Sequence, residues 1–216
     1  MVTLLTQQKS LFGNLMHELR EVDIQSNRRN FRQNLEKFGL LAGYEISKLL
    51  NYEMRETTTV LGSTEVDVLH DEVVALAILR AGLPLQAGIL KAFDDAEGAF
   101  VTAYRKEKPD GSFDISMDYI TCPILSNKVI VMADPMLATG RSIEAAMHMI
   151  NDYGKPREIH LVSVIASESG IDHIRRLYPF IHIWVGAIDA ELTAKSYIVP
   201  GLGDAGDLSF GEKLQG

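Results

Sequence analysis

The 216-residue sequence has one cysteine, Cys122, and no hydrophobic run long enough to span a bilayer. A single cysteine excludes an intrachain disulfide and a cysteine-based zinc cluster, so we expect Cys122 to be buried filler rather than a catalytic group. The six histidines are dispersed without the paired spacing of metal ligands, and no role is assigned to them. The first ten residues lack the long apolar core of a secretory signal. Together these absences predict a cytoplasmic protein.

Positive charge is also scarce, because 21 Lys and Arg stand against 29 Asp and Glu, for a formal net charge of −8. This balance argues against a nucleic-acid partner, which normally needs a basic stripe to neutralise phosphates. Hydrophobic residues make up 46% and charged residues 23% of the chain, as in ordinary soluble globular proteins, and no segment favours a membrane partner. A small anionic substrate stays possible, because focused cations, helix dipoles and a divalent ion can bind it locally.

Apolar strands and amphipathic helices alternate along most of the chain. We predict helices or strands at residues 27–50 (helix), 57–61 and 66–68 (hairpin), 73–79 (strand), 84–93 (helix), 99–104 (strand), 129–133 (strand), 142–153 (helix), 159–165 (strand), 170–178 (helix) and 182–187 (strand). This order predicts an α/β fold with a mainly parallel twisted sheet flanked by helices. Ligands of such sheets bind beyond the carboxyl ends of the strands.

We expect one domain over residues 1–216, with a small hood formed by about 187–216 and a β-hairpin arm at about 105–120. The arm is polar and rich in turn residues, so a mobile cover for an active site and a plain surface loop both fit it. Residues 1–26 offer no motif.

Residues 131–142, Val-Met-Ala-Asp-Pro-Met-Leu-Ala-Thr-Gly-Arg-Ser, join an apolar strand to a helix through a loop of small residues. The loop can turn backbone N–H groups and hydroxyls toward an anion at the helix N-terminus. It carries neither the Lys of a Walker P-loop nor the three spaced glycines of a dinucleotide site. An acidic residue followed by Ala-Thr-Gly instead indicates a ribose 5-phosphate site, with Asp134 holding sugar hydroxyls and the loop holding the phosphate.

Residues 134–140, Asp-Pro-Met-Leu-Ala-Thr-Gly, resemble the 5-phosphoribosyl-1-pyrophosphate (PRPP) motif of uracil phosphoribosyltransferases. Three other blocks resemble the same family in the same order. Residues 78–82 resemble its pyrophosphate loop, 103–105 its Tyr-Arg before a mobile hood, and 197–207 its uracil-binding segment. The resemblance implies the Rossmann-like fold of type I phosphoribosyltransferases and the transfer of phosphoribose from PRPP to uracil, giving UMP and pyrophosphate in pyrimidine salvage.

The resemblance also implies roles for individual residues. Catalytic roles fall to Asp204, Arg105 and Asp134, and base contacts to Ile198, Gly203, Asp204 and Ala205. The PRPP-binding residues implied are Arg80, Arg105, Asp134, Pro135, Met136, Leu137, Ala138, Thr139, Gly140, Arg141, Ser142 and Asp204. Mg²⁺ is expected with the pyrophosphate from chemistry and family, without a ligand cluster in the sequence. A homodimer or higher homo-oligomer and a GTP effector are implied for the family, and no residue here decides either.

Two positions affect how closely the resemblance holds. Arg141 stands where the family usually has a second glycine, so it either strengthens the phosphate grip or crowds the loop if its backbone needs positive φ. Asp134 is followed by Pro135 rather than by the second acid of many phosphoribosyltransferases, which favours the uracil branch. Two alternatives stay open: transfer to another base, and a non-catalytic regulator that senses PRPP or a nucleotide.

Overall fold

The computed structural model describes residues 1–102 and 119–213, together with the backbone of two strands, Tyr104–Glu107 and Phe113–Ser116. Its helices are α1 (Leu11–Arg20), α2 (Val22–Gln25), α3 (Arg28–Ser47), α4 (Gly82–Ala92), α5 (Arg141–Ile150), α6 (Glu168–Leu177) and α7 (Ala205–Phe210). Its strands are β1 (Val2–Leu4), β2 (Tyr52–Thr59), β3 (Gly62–Leu69), β4 (Val73–Leu79), β5 (Glu97–Thr102), β6 (Tyr104–Glu107), β7 (Phe113–Ser116), β8 (Ile120–Thr121), β9 (Val129–Ala133), β10 (Met136–Leu137), β11 (Glu158–Ser167), β12 (His182–Asp189), β13 (Glu191–Leu192) and β14 (Ile198–Val199).

The central sheet has the strand order β1-β12-β11-β9-β4-β5-β8, with β10 paired to β11. Its neighbours pair in parallel except β8, which runs antiparallel to β5. The predicted α/β fold with a mainly parallel sheet is therefore confirmed. Within the described residues, no helix is long and apolar enough to cross a membrane.

Two hydrophobic cores cover the two faces of the sheet. Strand β4 contributes side chains to both cores, because alternate side chains of a strand point to opposite faces of the sheet. Val73 and Ala75 enter the core that α1, α3 and α4 cover, and Val74, Leu76 and Ile78 enter the core that α5 and α6 cover. Burying a side chain such as Leu76 contributes about 1.5–3 kcal/mol, more than the 0–1 kcal/mol of an exposed ion pair. The sheet is thus a rigid support for the loops that follow its strands.

Helix α3 forms because Asn27 caps it, accepting a hydrogen bond from the N–H of Asn30 at 3.2 Å, and because an apolar stripe recurs at helical spacing. It lies directly against α4. A Cβ on Gly88 would lie 1.9 Å from the carbonyl oxygen of Glu36, so the two backbones meet without a side chain between them. The predicted helix is confirmed with slightly shorter bounds.

The amino-terminal region contains structure that the sequence did not predict. Strand β1 forms an edge of the sheet beside β12, and α1 and α2 follow it. Ser10 caps α1, with its hydroxyl accepting from the N–H of Phe12 at 3.4 Å. The predicted hairpin is longer than expected, as β2 and β3 pair antiparallel over eight residues each and are mostly exposed.

Strands β6 and β7 pair antiparallel inside the predicted arm. Residues 103, 108–112 and 117–118 of that region, and 214–216 at the carboxyl end, lie outside the described residues. The mobility of the arm and the hood therefore stay predictions.

Cys122 packs partly buried against the α5–α6 core, as expected for filler. Burial, with a smaller effect from the charge of Glu97, raises the pKa of its thiol to about 11. The thiol is therefore protonated and unreactive at neutral pH.

Candidate active site

Two of the predicted site loops follow neighbouring strands. Arg80 follows β4 and Asp134 follows β9, and these strands pair directly in parallel, so both residues lie at the same edge of the sheet. A Cβ on Gly82 would lie 2.2 Å from the carbonyl oxygen of Ala133. Only a glycine lets the backbone after β4 approach the end of β9 this closely. The pyrophosphate-loop block and the PRPP block are thus adjacent, as the sequence predicted.

The loop after β9 is held from behind by β11. Part of the loop pairs with β11 as β10. The hydroxyl of Ser163 donates to the carbonyl oxygen of Asp134 at 2.6 Å, and the hydroxyl of Ser167 donates to that of Ala138 at 2.5 Å. Both serines are fully buried. These bonds and the pairing with β11 hold the loop on a fixed frame.

The loop ends at Gly140, which has a left-handed φ of 78° and occupies the N-cap position of α5. Arg141 is the first residue of the helix and donates its N–H to the Thr139 hydroxyl at 3.5 Å. Since the positive φ falls on Gly140, Arg141 fits the loop without backbone strain, and the crowding considered above does not arise. The N-terminus of α5 therefore lies at the loop, as an anion site requires.

Asp134 has an unusual carboxyl group. Burial raises its pKa to about 7, although the residue keeps some exposure, and the backbone N–H of Met136 at 3.4 Å opposes the rise only weakly. A carboxyl group with this pKa changes charge near neutral pH. Such perturbed groups cluster at functional sites.

His173 was assigned no role from the sequence, yet it supports the phosphate loop. Its ring lies so near Gly140 that a Cβ there would be 3.0 Å away. Its Nε2 pairs with the Glu144 carboxylate at 2.8 Å and joins α6 to the first turn of α5. No spacing rule reveals this contact, because the two helices meet only in the fold.

Arg80 reaches the carboxyl-terminal segment. Its guanidinium donates to the Asp207 carboxylate at 3.1 Å and to the carbonyl oxygen of Gly211 at 3.4 Å. The peptide bond between Leu79 and Arg80 is cis. The side chain is 45% exposed, so it can exchange these partners for a ligand. The predicted uracil-binding block at residues 197–207 therefore lies beside the predicted pyrophosphate loop at residues 78–82.

Asp204 is the N-cap of α7. Its Oδ1 accepts from the N–H groups of Gly206 at 2.8 Å and Asp207 at 3.0 Å, and its Oδ2 accepts from the ammonium of Lys213 at 3.2 Å. Burial acts to raise the pKa of Asp204, but these donors outweigh it and hold the pKa below its ordinary value. Asp204 is therefore ionised at neutral pH, whereas Asp134 is only partly ionised there.

The predicted base-binding segment runs from β14 into α7. The side chains of Ile198 and Ala205 are buried in the core under α3, so their main chain is the part that can meet a ligand. Gly203, with φ of 96°, is exposed between them. A cavity of about 310 Å³ opens beside this segment, and its lining does not include the loop after β9. The cavity is lined by Gln25, Ser26, Arg28, Leu202, Gly203, Asp204, Asp207, Leu208 and Glu212.

Comparison with known proteins assigns the chain. The family model described as uracil phosphoribosyltransferase matches residues 6–212. The chain belongs to the uracil phosphoribosyltransferase family. A protein named uracil phosphoribosyltransferase from Porphyromonas gingivalis is 48% identical over 208 residues, covering 96% of each chain. One of the same name from Pyrococcus furiosus is 39% identical over 204 residues, covering 93% of this chain and 86% of that protein.

Solved structures share the fold of this chain. The AQ2163 protein from Aquifex aeolicus superposes with a TM-score of 0.87 at 31% identity, covering 99% of this chain and all of that one. A hypoxanthine phosphoribosyltransferase from Staphylococcus aureus reaches a TM-score of 0.51 at 14% identity over 86% of this chain and 84% of that one, and shows the fold alone. The predicted family and its Rossmann-like phosphoribosyltransferase fold are confirmed.

The structure brings together most residues that the resemblance to uracil phosphoribosyltransferases named. One edge of the sheet carries Arg80, Asp134 and the loop to Ser142. Asp204 lies on the carboxyl-terminal segment that Arg80 contacts. Arg105 lies on β6, and its side chain is outside the described residues. Sequence reasoning missed the contribution of Gln25, Ser26 and Arg28 to the cavity, since residues 1–26 had no motif and Arg28 entered only as part of a helix. The ligand roles of all these residues stay predictions.

Proposed function

We propose that this chain transfers the 5-phosphoribosyl group of PRPP to N1 of uracil, giving UMP and pyrophosphate in pyrimidine salvage. The C1–O bond of PRPP breaks with its electron pair going to pyrophosphate, the N1–C1 bond forms, and N1 loses its proton. One observation carries the proposal: the Arg80 loop, the Asp134 loop and the Asp204 segment converge at the carboxyl ends of β4 and β9. The names of the P. gingivalis and P. furiosus relatives support it.

The 5-phosphate of PRPP binds the loop between Asp134 and α5. The positive end of the ten-residue α5 and the hydroxyls of Thr139 and Ser142 suit a phosphate dianion. Arg141 adds a cation at the first turn of the helix. The buried serine bonds behind the loop keep these donors in place before substrate arrives, so little ordering is needed on binding.

The leaving pyrophosphate gathers negative charge as the C1–O bond breaks, so the site must stabilise charge there. Arg80 and Arg105 supply planar guanidinium groups that match phosphate oxygens. In the described part of the chain, no three His, Cys, Asp or Glu residues are grouped as metal ligands. Mg²⁺ commonly binds through one or two carboxylates and substrate phosphates, and the ionised Asp204 fits that role. When bound, Mg²⁺ would neutralise developing charge on the pyrophosphate.

The ribose becomes cationic at C1 in the transition state. Asp134 accepts hydrogen bonds from the sugar hydroxyls and stabilises the cationic ring when it is ionised. Hydroxyl donors from the bound ribose favour the charged form and lower its raised pKa. Substrate binding therefore charges the carboxylate in the complex where that charge is needed.

Uracil presents an acceptor, a donor and an acceptor along its O4, N3–H and O2 edge. Main-chain groups of Ile198, Gly203 and Ala205 match this pattern, and Asp204 lies between them. Cytosine has a donor where uracil has an acceptor, so it would leave a main-chain N–H unpaired. A mismatch of this kind can reject a base by orders of magnitude.

We further propose a cytoplasmic homo-oligomer, on the grounds of composition and family, with GTP as a candidate effector. Size-exclusion chromatography coupled to light scattering tests the assembly. Steady-state kinetics with and without GTP test the effector.

The test of function is formation of UMP from uracil, PRPP and Mg²⁺, with cytosine, orotate and purine bases in parallel reactions. We expect repeated turnover with uracil alone. Turnover of a different base would identify another phosphoribosyltransferase. Stoichiometric PRPP binding without turnover of any base would support the regulator alternative instead.

A further inference from the structure

Asp189 connects the amino-terminal region to the predicted base-binding segment. This residue ends β12, and its side chain is only 8% exposed. Its Oδ1 accepts from the guanidinium of Arg20, in the last turn of α1, at 3.0 Å. Its Oδ2 accepts from the backbone N–H of Gly201 at 3.0 Å. One carboxylate thus joins α1 to the turn between Ile198 and Gly203.

Gln25 makes a second connection to the same segment, at Leu202, the residue after Gly201. With its amide oriented to satisfy both neighbours, its NH₂ group donates to the carbonyl oxygens of Leu19 and Leu202, each at 2.9 Å. Leu19 belongs to α1, and Leu202 follows Gly201. The backbones of two consecutive residues, Gly201 and Leu202, are therefore bonded to side chains of β12 and α2.

The backbone held in this way is tightly constrained. Gly201 and Leu202 are buried, and Gly201 has φ of 61°. A Cβ on Gly201 would lie 2.1 Å from the carbonyl oxygen of Ile198, so the turn folds directly onto the residue expected to meet the base. Buried backbone groups in such a turn need partners, and Asp189 and Gln25 supply them. A shift of this turn would move the main-chain groups at Ile198 and Gly203 together.

We propose that Arg20, Gln25 and Asp189 are positioning residues that set the main-chain geometry of the base-binding segment and thereby the affinity and selectivity for uracil. The inference rests on the proposed function, because it takes residues 198–205 as the segment that reads the base. None of the three residues is required to touch the substrate. They act through the peptide groups of Gly201 and Leu202.

A matched ion pair at the opposite end of the sheet separates positioning from plain stability. Arg157 donates two hydrogen bonds to Asp71 beside the amino ends of β11 and β4. The side chains of this pair are 27% exposed for Arg157 and 2% exposed for Asp71, close to the 23% and 8% of Arg20 and Asp189. Breaking either pair leaves a mostly buried carboxylate without its cation, but only the Arg20 pair touches the base-binding segment.

The experiment compares Arg20→Met with Arg157→Met in the full chain. For Arg20→Met we expect the KM for uracil to rise about tenfold, as for weakening one charged hydrogen bond, with the KM for PRPP within about twofold of wild type. Arg157→Met should leave both constants within about twofold while lowering thermal stability. Arg20→Lys keeps the charge and should recover most of the uracil affinity. If Arg20→Met does not fold, Gln25→Leu replaces it and should show the same selective loss.

Hydrogen exchange gives a readout that does not need activity. Peptides covering residues 198–206 should exchange at least about tenfold faster in Arg20→Met than in Arg157→Met, relative to β9 in each protein. An unchanged uracil KM in a folded Arg20→Met protein, or an equal rise in Arg157→Met, overturns the proposal. If the wild-type protein turns over no base, the proposed function fails. In that case, equal hydrogen-exchange rates of residues 198–206 in the two variants would also reject the positioning role.

Discussion

Replacing Asp134 by Asn should stabilise the ligand-free protein at alkaline pH while removing activity. Burial raises the pKa of this carboxyl to about 7 in the folded chain, whereas it titrates near 3.8 when unfolded. Between these values the folded state holds a proton that the unfolded state has lost. The free energy of unfolding therefore falls as the pH rises from about 4 to about 7. Asparagine has no charge to bury and keeps an acceptor for the N–H of Met136.

The size of the effect follows from the shift. At 1.36 kcal/mol per unit, a rise from 3.8 to about 7 corresponds to about 4 kcal/mol. Because Asp134 keeps some exposure, water reduces the penalty, and we expect about 2 kcal/mol at pH 8 and almost none at pH 4. For a chain of this length, 2 kcal/mol raises the melting temperature by about 4–8 °C.

The assay is thermal or urea unfolding of the wild type and Asp134→Asn at pH 4, 6 and 8, without PRPP. Asp152→Asn, on an exposed acid after α5, is the control and should follow the wild type at each pH. Steady-state assays of the same proteins should show turnover lost only in Asp134→Asn. A stability gap that is the same at pH 4 and pH 8, or an Asn variant less stable at pH 8, would refute the reasoning.

Three further substitutions test the site. Asp204→Ala removes the cap of α7, which costs about 1 kcal/mol of unfolding free energy, but should lower kcat about 100-fold because an ionised group at the site is lost. Arg105→Ala should raise the KM for PRPP about tenfold with little change in kcat, as loss of a phosphate contact does. Gly82→Ala should cost about 3 kcal/mol and raise the KM for PRPP, because its Cβ would displace the loop from Ala133.

Each of these has a result that contradicts it. An unchanged kcat in Asp204→Ala removes that residue from the reaction, as an unchanged KM for PRPP does for Arg105. The control for Gly82→Ala is Gly13→Ala, since nothing lies within 4 Å of a Cβ at that exposed helical position. Equal stability of the two alanine variants would show that the backbone after β4 is not tightly packed.

The site's main frame was predictable because its signals are local in the sequence. The apolar run of β9, the small-residue loop and the apolar spacing of α5 are contiguous, so strand, loop and helix could be predicted together. Arg80 and Asp134 could then be assigned to one sheet edge, because parallel strands present their carboxyl ends together. The left-handed conformation of Gly140 was harder to predict, since the sequence left open whether Gly140 or Arg141 would have the positive φ.

The contribution of α1 and α2 could not be predicted for a physical reason. Arg20 bonds a carboxylate far along the chain, and Gln25 bonds backbone carbonyls, which no side-chain pattern reveals. The roles of Ser163 and Ser167 were equally hard to predict, because in sequence both are ordinary residues of an apolar strand. Only the structure shows that their hydroxyls hold the neighbouring loop.

The edge strand β1 has a consequence for how the protein is made. Its residues 2–4 pair with residues 183–185, so β1 cannot enter the sheet until β12, far along the chain, has been synthesised. Contacts so distant in sequence form late and slow the search for the native topology. The part of α1 that packs on β12 stays uncovered during that interval, a period in which aggregation competes with folding. The sheet is therefore completed only after β12 has been synthesised.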